Sequence, residues 1–199
     1  MAEQDNGQPA TPPLPDAAPP PDVEAQADLS SLSQLDKELL SRLEAALAEF
    51  HPVIDVLHDI PQVTIEAGDL AKACRVAKYD PAINAKQLTC LACVDYEEHF
   101  QLVYFLHSLD PEGTMVIKAD LPYDLPKAPS VASVWRAADW YEREAHDLFG
   151  VVFEGHPDLA PLLLYEGFEG FPGRKSFPFH EYTEWCPTAP RPTTGRPRA

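Results

Sequence analysis

Two neighbouring segments in the middle of the chain alternate their side chains with the period of two that is typical of β-strands. In residues 99–107 the apolar side chains of one face are Phe100, Leu102, Tyr104 and Leu106. Residues 114–121 repeat the alternation, with Met115, Ile117, Ala119 and Leu121 on one face. The intervening Asp110-Pro111-Glu112-Gly113 is typical of a turn. The pattern predicts a β-hairpin with a loop of about five residues.

Helical spacing precedes this hairpin. Leucines recur every three or four residues from Leu32 to Leu47 and are followed by Phe50, which predicts an amphipathic helix over residues 31–50. The apolar stripe of this helix would pack either on the core or on a partner. A second helix is predicted over residues 69–79, with Asp69 as its candidate N-cap.

The remaining elements determine the predicted fold class. One helix is predicted to begin near Ser130, and another to follow from Asp139, where Asp139 and Glu142 have the spacing of a capping box and Gly150 stands at the C′ position. Further strands are predicted at residues 53–58, 63–65 and 88–96. Because helices and strands are mixed without strict alternation, we predict an α+β fold rather than a doubly wound sheet.

Proline marks the ends of the chain. Residues 1–22 contain seven prolines, and residues 1–30 carry six acids and no base. A segment of this composition buries too little apolar surface to offset its ordering entropy, so residues 1–30 are predicted to be a disordered acidic tail. Residues 186–199 form a short tail rich in proline and arginine. We therefore expect one folded domain over residues 51–185, with an irregular segment from about residue 155.

The overall charge narrows the class of partner. Fifteen Lys and Arg against 32 Asp and Glu give a formal net charge of −17. A nucleic acid or an anionic membrane surface is therefore a poor partner, because both attract cationic proteins. No apolar run approaches the roughly 20 residues of a membrane span, and no secretory signal is visible. The expectation is a soluble, cytoplasmic chain whose four cysteines do not build a disulfide scaffold.

Two groups of residues could carry chemistry. Cys90 and Cys93 form a C-x-x-C pair, but on a strand positions three apart point to opposite faces, which favours structural thiols over a metal or redox site. The predicted helix from Asp139 places Glu142, His146 and Asp147 at spacings that suit a metal or an acid–base site. The alternative for this helix is exposed ion pairing at i, i+4, between Glu142 and His146 and between Arg143 and Asp147.

Two longer motifs carry a family resemblance. Residues 140–159 are W-Y-E-R-E-A-H-D-L-F-G-V-V-F-E-G-H-P-D-L, and residues 165–178 are Y-E-G-F-E-G-F-P-G-R-K-S-F-P. Together they resemble the signature of the C subunit of respiratory complex I, the NADH–quinone oxidoreductase, and the resemblance extends over about residues 53–185. The chain departs from the family pattern at four positions, which are Ala160, Pro161, Phe171 and Ser176.

The resemblance implies a two-layer α+β domain with a mixed sheet packed on helices, followed by an extended C-terminal segment that contacts its neighbours in the complex. It also implies a subunit that is not catalytic by itself and holds no cofactor. The subunit would pack in the peripheral arm beside the quinone-site large subunit and the iron–sulfur subunits. FMN and iron–sulfur clusters would reside in partner subunits. The complex would lie on the cytoplasmic side of the inner membrane. The alternative is the equivalent subunit of an energy-converting hydrogenase or of a relative linked to ferredoxin or F420.

The resemblance also selects motif residues whose side chains would hold the motif loops and the contacts between subunits in register, with arginine–carboxylate pairs suited to that role. These candidate interface residues are Glu142, Arg143, Glu144, Asp147, Phe149, Gly150, His156, Pro157, Asp158, Arg174, Lys175, Phe177 and Pro178.

Overall fold

The computed structural model of the chain describes residues 33–57, 59–110, 112–165 and 167–178. Within them lie three α-helices, which are α1 (Gln34–Leu47), α2 (Leu70–Tyr79) and α3 (Ala138–Phe149). The strands of the same residues are β1 (Val53–Leu57), β2 (Ile60–Thr64), β3 (Gln87–Asp95), β4 (His99–Leu109), β5 (Glu112–Pro122), β6 (Lys127–Pro129) and β7 (Val152–Glu154). The predicted tails, residues 1–30 and 186–199, lie outside the described residues.

Five strands form one mixed sheet in the order β1-β2-β5-β4-β3. Strand β2 runs parallel to β5, and the other neighbours are antiparallel. Strands β6 and β7 form a separate parallel pair. The sheet is packed with the helices, so the predicted α+β class with a mixed sheet is confirmed.

The predicted hairpin is the β4–β5 pair, and its core face is the predicted one. The eight inward side chains named for residues 99–107 and 114–121 are buried in the main apolar cluster. The predicted loop of about five residues is wrong, because Leu109 pairs with Glu112 and only two residues connect the strands. Each strand therefore continues for two residues further toward the turn than the alternation alone indicated.

Helix α1 packs on the core. Its N-cap is Ser33, whose hydroxyl accepts a hydrogen bond from the Asp36 amide. The leucines of its apolar stripe that become buried are Leu39, Leu40, Leu43 and Leu47. Of the two places considered for this stripe, the structure therefore shows the core, while Leu35 remains exposed.

Two local predictions about helix ends are wrong, and a third is right in position only. Asp69 is the N-cap residue of α2, as predicted, but its side chain makes no capping hydrogen bond and accepts one from the Lys72 ammonium instead. Helix α3 begins at Ala138, so Asp139 lies in its first turn and forms no capping box. The chain after Ser130 makes two short turns. The Trp135 amide donates to the Val131 carbonyl in the first, and the Ala138 amide donates to the Trp135 carbonyl in the second. No α-helix lies between Ser130 and Ala138, a stretch that the structure describes throughout.

The end of α3 and the C-x-x-C pair follow the predictions. Gly150 has φ +76° and its amide donates to the His146 carbonyl at 2.9 Å, as expected of a C′ glycine. Cys90 lies opposite Phe105 and Cys93 opposite Leu102, so the two thiols point to opposite faces of the sheet. Burial, with a contribution from Asp95 that Arg174 opposes, raises the pKa of Cys93 to about 12.

After β7 the described chain has no helix or strand up to Pro178. We call residues 155–165 and 167–178 the return segment, because they fold back along α3 and reach the end of β3. Among the described residues, none of the helices is long and apolar enough to cross a membrane.

Candidate functional site

Helix α3 carries most of the polar motif residues and uses them to bind backbone of other segments. One side of the helix is buried through Ala138, Glu142 and Ala145. Another side faces residues 160–164 of the return segment. The helix therefore lies between the core and the return segment, and its polar side chains reach both.

Glu142 is fully buried and joins α3 to the chain that precedes it. Its Oε1 accepts a hydrogen bond from the Val131 amide at 2.7 Å, and its Oε2 accepts one from the Ser130 hydroxyl at 2.6 Å. Burial raises the pKa of Glu142, and these two hydrogen bonds oppose part of that rise. The carboxylate thus fixes the turn at Ser130 rather than the first turn of its own helix.

His156 anchors the start of the return segment against α3. Its side chain is buried, and its Nδ1 lies 3.0 Å from the Asp158 amide, so Nδ1 accepts that hydrogen bond. This hydrogen bond assigns the ring proton to Nε2, which lies 3.1 Å from Asp139 Oδ1 and 3.8 Å from Glu142 Oε2. One histidine in this way orients the loop after β7 toward two carboxylates of α3.

Arg143 and Asp147 hold the next stretch of the return segment through its main chain. Arg143 donates from Nε to the Ala160 carbonyl at 3.0 Å and from Nη2 to the Pro161 carbonyl at 3.2 Å. Asp147 Oδ2 accepts from the three amides of residues 162–164 at 3.2, 2.8 and 2.8 Å. Burial alone would raise the pKa of Asp147, but the three amide hydrogen bonds outweigh it and lower the pKa. We call Arg143 and Asp147 the α3 clamp.

The structure corrects one expectation about these charges. Neither of the exposed i, i+4 ion pairs is present in the described chain, because Arg143 and Asp147 both bind backbone atoms and Glu142 is buried. Within the described chain Arg143 and Arg174 donate to main-chain carbonyls and not to carboxylates, while arginine–carboxylate pairs between subunits stay a prediction.

The structure also separates the three residues of the candidate metal or acid–base site. Glu142 binds the chain at Ser130, His146 Nδ1 lies 2.8 Å from the Val151 carbonyl, and Asp147 binds the return segment. Across the part of the chain that the structure describes, no group of three His, Cys, Asp or Glu side chains is placed to hold a metal ion. The geometry therefore does not support a metal centre on this helix.

Arg174 ties the second motif to the end of α3. Its Nε donates to the Phe149 carbonyl at 2.7 Å, which satisfies one of the free carbonyls at the helix C-terminus. Its guanidinium carbon lies 5.1, 5.5 and 4.7 Å from the ring centres of Phe100, Tyr123 and Phe171. The cation therefore combines a helix-end hydrogen bond with contacts to three aromatic rings.

Asp95, at the end of β3, is a site residue that the sequence did not single out. Its Oδ2 accepts from the Lys175 amide at 2.8 Å, and its Oδ1 accepts from the Glu97 amide at 2.7 Å. The Lys175 ammonium also lies 3.5 Å from the exposed Glu97 carboxylate. The local signal was an aspartate before a turn, but nothing in that signal indicates a partner eighty residues later in the chain.

The other predicted site residues complete the packing of the return segment. The Phe149 ring packs edge-on against Phe100 at 6.1 Å, and Phe177 stacks on Phe168 at 6.1 Å. Asp158 Oδ1 accepts from the Ala160 amide at 3.1 Å. The remaining three are Glu144, which is half-buried, and Pro157 and Pro178, which are exposed.

Both motifs and most of the sheet lie within the match to one known family. The family model described as the 30 Kd subunit of respiratory-chain NADH dehydrogenase matches residues 63–183, which contain β5, β4, β3, α3 and the whole return segment. The chain belongs to this family. As a member of the C-subunit family it is one component of a hetero-oligomeric complex.

Individual relatives agree with this assignment. The chain is 39% identical over 148 residues to a relative in Rhizobium meliloti strain 1021 that is named as C subunit 2 of NADH-quinone oxidoreductase, over 71% of the chain and 81% of the relative. It is 39% identical to the C subunit of NADH-quinone oxidoreductase of Rhodospirillum rubrum, over 74% of the chain and 70% of the relative. These names favour the NADH–quinone oxidoreductase over the hydrogenase-type alternative.

Solved structures show the same fold. A chain of the membrane-bound sulfane sulfur reductase, an archaeal respiratory membrane complex, superposes with a TM-score of 0.62 at 25% identity, over 71% of this chain and 85% of that one. A trypsin-resistant fragment of Nqo5 superposes with a TM-score of 0.50 at 30% identity, over 59% of this chain and 98% of the fragment. The fold of this C-subunit family is therefore shared with more than one kind of respiratory complex.

Proposed function

We propose that this chain is a structural subunit of the peripheral arm of a complex I-type NADH–quinone oxidoreductase, and that it supports electron transfer from NADH to quinone by positioning its neighbours. The observation that carries the proposal is the use of the motif side chains. Glu142, Arg143, Asp147 and Arg174 each bind main-chain atoms of another segment of their own chain. Groups bound in this way suit the shaping of a surface better than proton or electron transfer.

Arg143, Asp147 and Arg174 shape the return segment. Its backbone is bound at residues 160–164 by the α3 clamp and at Lys175 by Asp95, and its own Arg174 binds the end of α3. Charge-assisted hydrogen bonds of this kind are stronger and more directional than neutral ones. A segment without helix or strand thereby keeps one conformation, which is a condition for specific contact with other subunits.

The partners in this proposal are the quinone-site large subunit and the iron–sulfur subunits of the peripheral arm. The redox centres, FMN and iron–sulfur clusters, would belong to these partner subunits, and this chain would bind none. The complex would place the chain on the cytoplasmic side of the inner membrane. Support comes from the family assignment together with relatives that are named as subunits of NADH-quinone oxidoreductase.

The experiment is an affinity purification from solubilised membranes. The tag is placed on the N-terminal tail, to keep it away from the return segment. The contacts described above hold that segment against the domain. Mass spectrometry identifies the co-purified subunits, and an NADH–quinone assay measures activity of the purified material. A strain that lacks the chain and is complemented with the untagged protein serves as the control for the tag.

We expect the tagged chain to recover the quinone-site, iron–sulfur and NADH-binding subunits together with NADH–quinone activity. Recovery of a large subunit that contains nickel, without NADH-binding subunits, would contradict the proposal and move the chain to the hydrogenase relatives. Recovery of the chain alone with a bound metal would contradict the structural role itself.

A further inference from the structure

Three large apolar side chains lie exposed along α3 and the part of the return segment that it binds. Trp140 is 62% exposed, Leu163 is 60% exposed and Tyr165 is 66% exposed. Trp140 is next to the α3 clamp, since its ring centre is 5.7 Å from the Arg143 guanidinium. Leu163 and Tyr165 follow on the backbone that Asp147 binds. We call these three side chains the apolar row.

Polar bonds hold the backbone next to Leu163 and Tyr165, and the Tyr165 ring also packs edge-on against Phe168 with ring centres 5.4 Å apart. Carbonyls of Ala160 and Pro161 are occupied by Arg143, and the three amides of residues 162–164 are occupied by Asp147. The backbone amides at and beside Leu163 therefore have a hydrogen-bond partner, while the Leu163 side chain is exposed to solvent. An ordered backbone under an exposed apolar side chain does not stabilise the isolated domain. It does lower the conformational entropy that is lost when that side chain binds a partner.

Acidic residues outnumber lysine and arginine by seven to three in the sequences of α3 and of residues 155–178, which carry the apolar row. Glu144 lies one helical turn after Trp140 on the same side of α3, and Asp158 and Glu169 are exposed on the return segment. Arg143 lies beside Trp140 and keeps its positive charge, because its guanidinium binds two neutral carbonyls. The surface therefore combines an apolar row with an excess of acidic residues, within a chain whose formal net charge is −17.

We propose that the apolar row inserts into an apolar pocket that is rimmed by lysine or arginine on another subunit of the same complex. This inference rests on the proposed function and specifies the chemistry of the partner surface. Aromatic and aliphatic side chains in the centre of an interface contribute most of its binding energy, and opposite charges on the rim set the register and the association rate. The α3 clamp is the element that positions the row before binding.

The test compares tagged full-length variants that replace the chain in cells. The variant Leu163→Ser/Tyr165→Ser removes two members of the row and leaves the backbone bonds to Asp147 intact. The matched control is Leu109→Ser, at the tip of the β4–β5 hairpin, where Leu109 is 71% exposed. After capture of the complex on resin, washing at low and at high salt gives the rate at which partner subunits leave each tagged chain.

We expect the partner subunits to leave the double variant about tenfold faster than wild type, and the Leu109→Ser control to match wild type. A third variant, Glu169→Lys, should lose partners faster than wild type at low salt, and the difference should shrink at high salt. Thermal unfolding of each purified chain checks that the exposed substitutions leave the fold intact.

The outcomes separate the two proposals. If wild type retains its partner subunits and the double variant retains them equally well, the apolar row is not an anchor, although the proposed function stands. If wild type itself captures no partner subunits, the proposed function fails and this inference fails with it. A loss of partners from the Leu109→Ser control as large as that from the double variant would also overturn the inference.

Discussion

Glu142 and Asp147 lie on the same helix, but their pKa values are shifted in opposite directions. Burial raises the pKa of Glu142, although Ser130 and Val131 donate to it. Asp147 receives three amide hydrogen bonds, which outweigh its desolvation and lower its pKa. The ionised form of Asp147 is therefore stabilised by folding, whereas that of Glu142 is disfavoured by folding.

For Glu142 we predict that the shape and the acceptor atoms matter more than the charge. Glu142→Ala leaves the Val131 amide and the Ser130 hydroxyl without their partner and should lower the free energy of unfolding by about 3 kcal/mol. Glu142→Gln keeps an acceptor for the Val131 amide and removes a buried charge, so it should cost less than about 1 kcal/mol. Urea unfolding of the two variants measures the difference, and equal losses would contradict the prediction.

For Asp147 we predict a loss of order in residues 162–164 at acid pH. Its pKa in the folded chain lies below the ordinary value of about 3.9, so its stabilising contribution is complete above that pH and disappears as the pH falls through the folded pKa. Asp147→Asn keeps one carbonyl oxygen as an acceptor but removes the charge that strengthens the three amide hydrogen bonds, so it should lower the local protection of these amides at neutral pH by about 1 to 2 kcal/mol. Hydrogen–deuterium exchange of a peptide that spans residues 162–164 gives the measurement.

The control for this experiment is Asp124→Asn, which changes an exposed carboxylate on the connection after β5. It should leave the exchange of residues 162–164 unchanged at every pH. Protection that is as strong in Asp147→Asn as in wild type at neutral pH would show that the amides are held by something other than this carboxylate.

At the level of elements, the sequence correctly predicted the two strands whose side chains alternate regularly. The alternation in residues 99–107 and 114–121 is an intrinsic property of each strand, and the structure has both strands with the predicted core face. The capping box at Asp139 failed because the partner of Glu142 is Ser130, twelve residues earlier. A partner at that separation is set by tertiary packing, which the spacing of residues within one helix does not contain.

The junction between α3 and the return segment gives a prediction about Gly150. An added Cβ there would lie 2.6 Å from Phe171 Cζ and 2.9 Å from Arg174 Nη2, at a φ of +76°. Gly150→Ala should therefore lower the free energy of unfolding by about 2 to 3 kcal/mol and displace both side chains. The matched control is Gly155→Ala, where φ is +82° and no atom lies within 4 Å of the added Cβ.

The control should show only the backbone strain, about 1 kcal/mol. The difference between the two variants in urea unfolding then measures the close packing of Phe171 and Arg174 on the end of α3. Equal losses in the free energy of unfolding would mean that Phe171 and Arg174 move away from the added methyl group without destabilising the chain.

At the level of the whole molecule, residue patterns predicted the α+β class, and the family resemblance supplied the mixed sheet. The order β1-β2-β5-β4-β3 depends on the parallel pairing of residues 62–64 with 116–118, which no local pattern in the sequence indicates. The sequence also predicted only part of the candidate site. The motifs located Arg143 and Asp147, but their partners are main-chain atoms of residues 160–164, and main-chain atoms have no signature in a sequence.

The whole-molecule prediction concerns Arg143, whose side chain binds the return segment and not the core. Arg143→Ala should reduce the abundance of the assembled complex several-fold while lowering the free energy of unfolding of the chain by only about 1 kcal/mol. Native gel electrophoresis of membranes and urea unfolding of the purified chain provide the two measurements. Arg136→Ala, at an exposed position just before α3, is the control.

A normal amount of complex that contains a strongly destabilised Arg143→Ala chain would contradict this prediction. The same would hold if Arg136→Ala reduced assembly to an equal extent. A parallel decrease of stability and assembly would assign Arg143 to the fold of the domain instead of its surface.

The parallel β2–β5 pairing has a consequence for synthesis of the chain on the ribosome. The β1–β2 hairpin can form as soon as residue 64 has emerged, but the partner strand of β2 spans residues 112–122 and is synthesised about fifty residues later. During that interval the free edge of β2 has no strand beside it. Nascent chains that pause between these two points are therefore the ones we expect to aggregate or to need a chaperone.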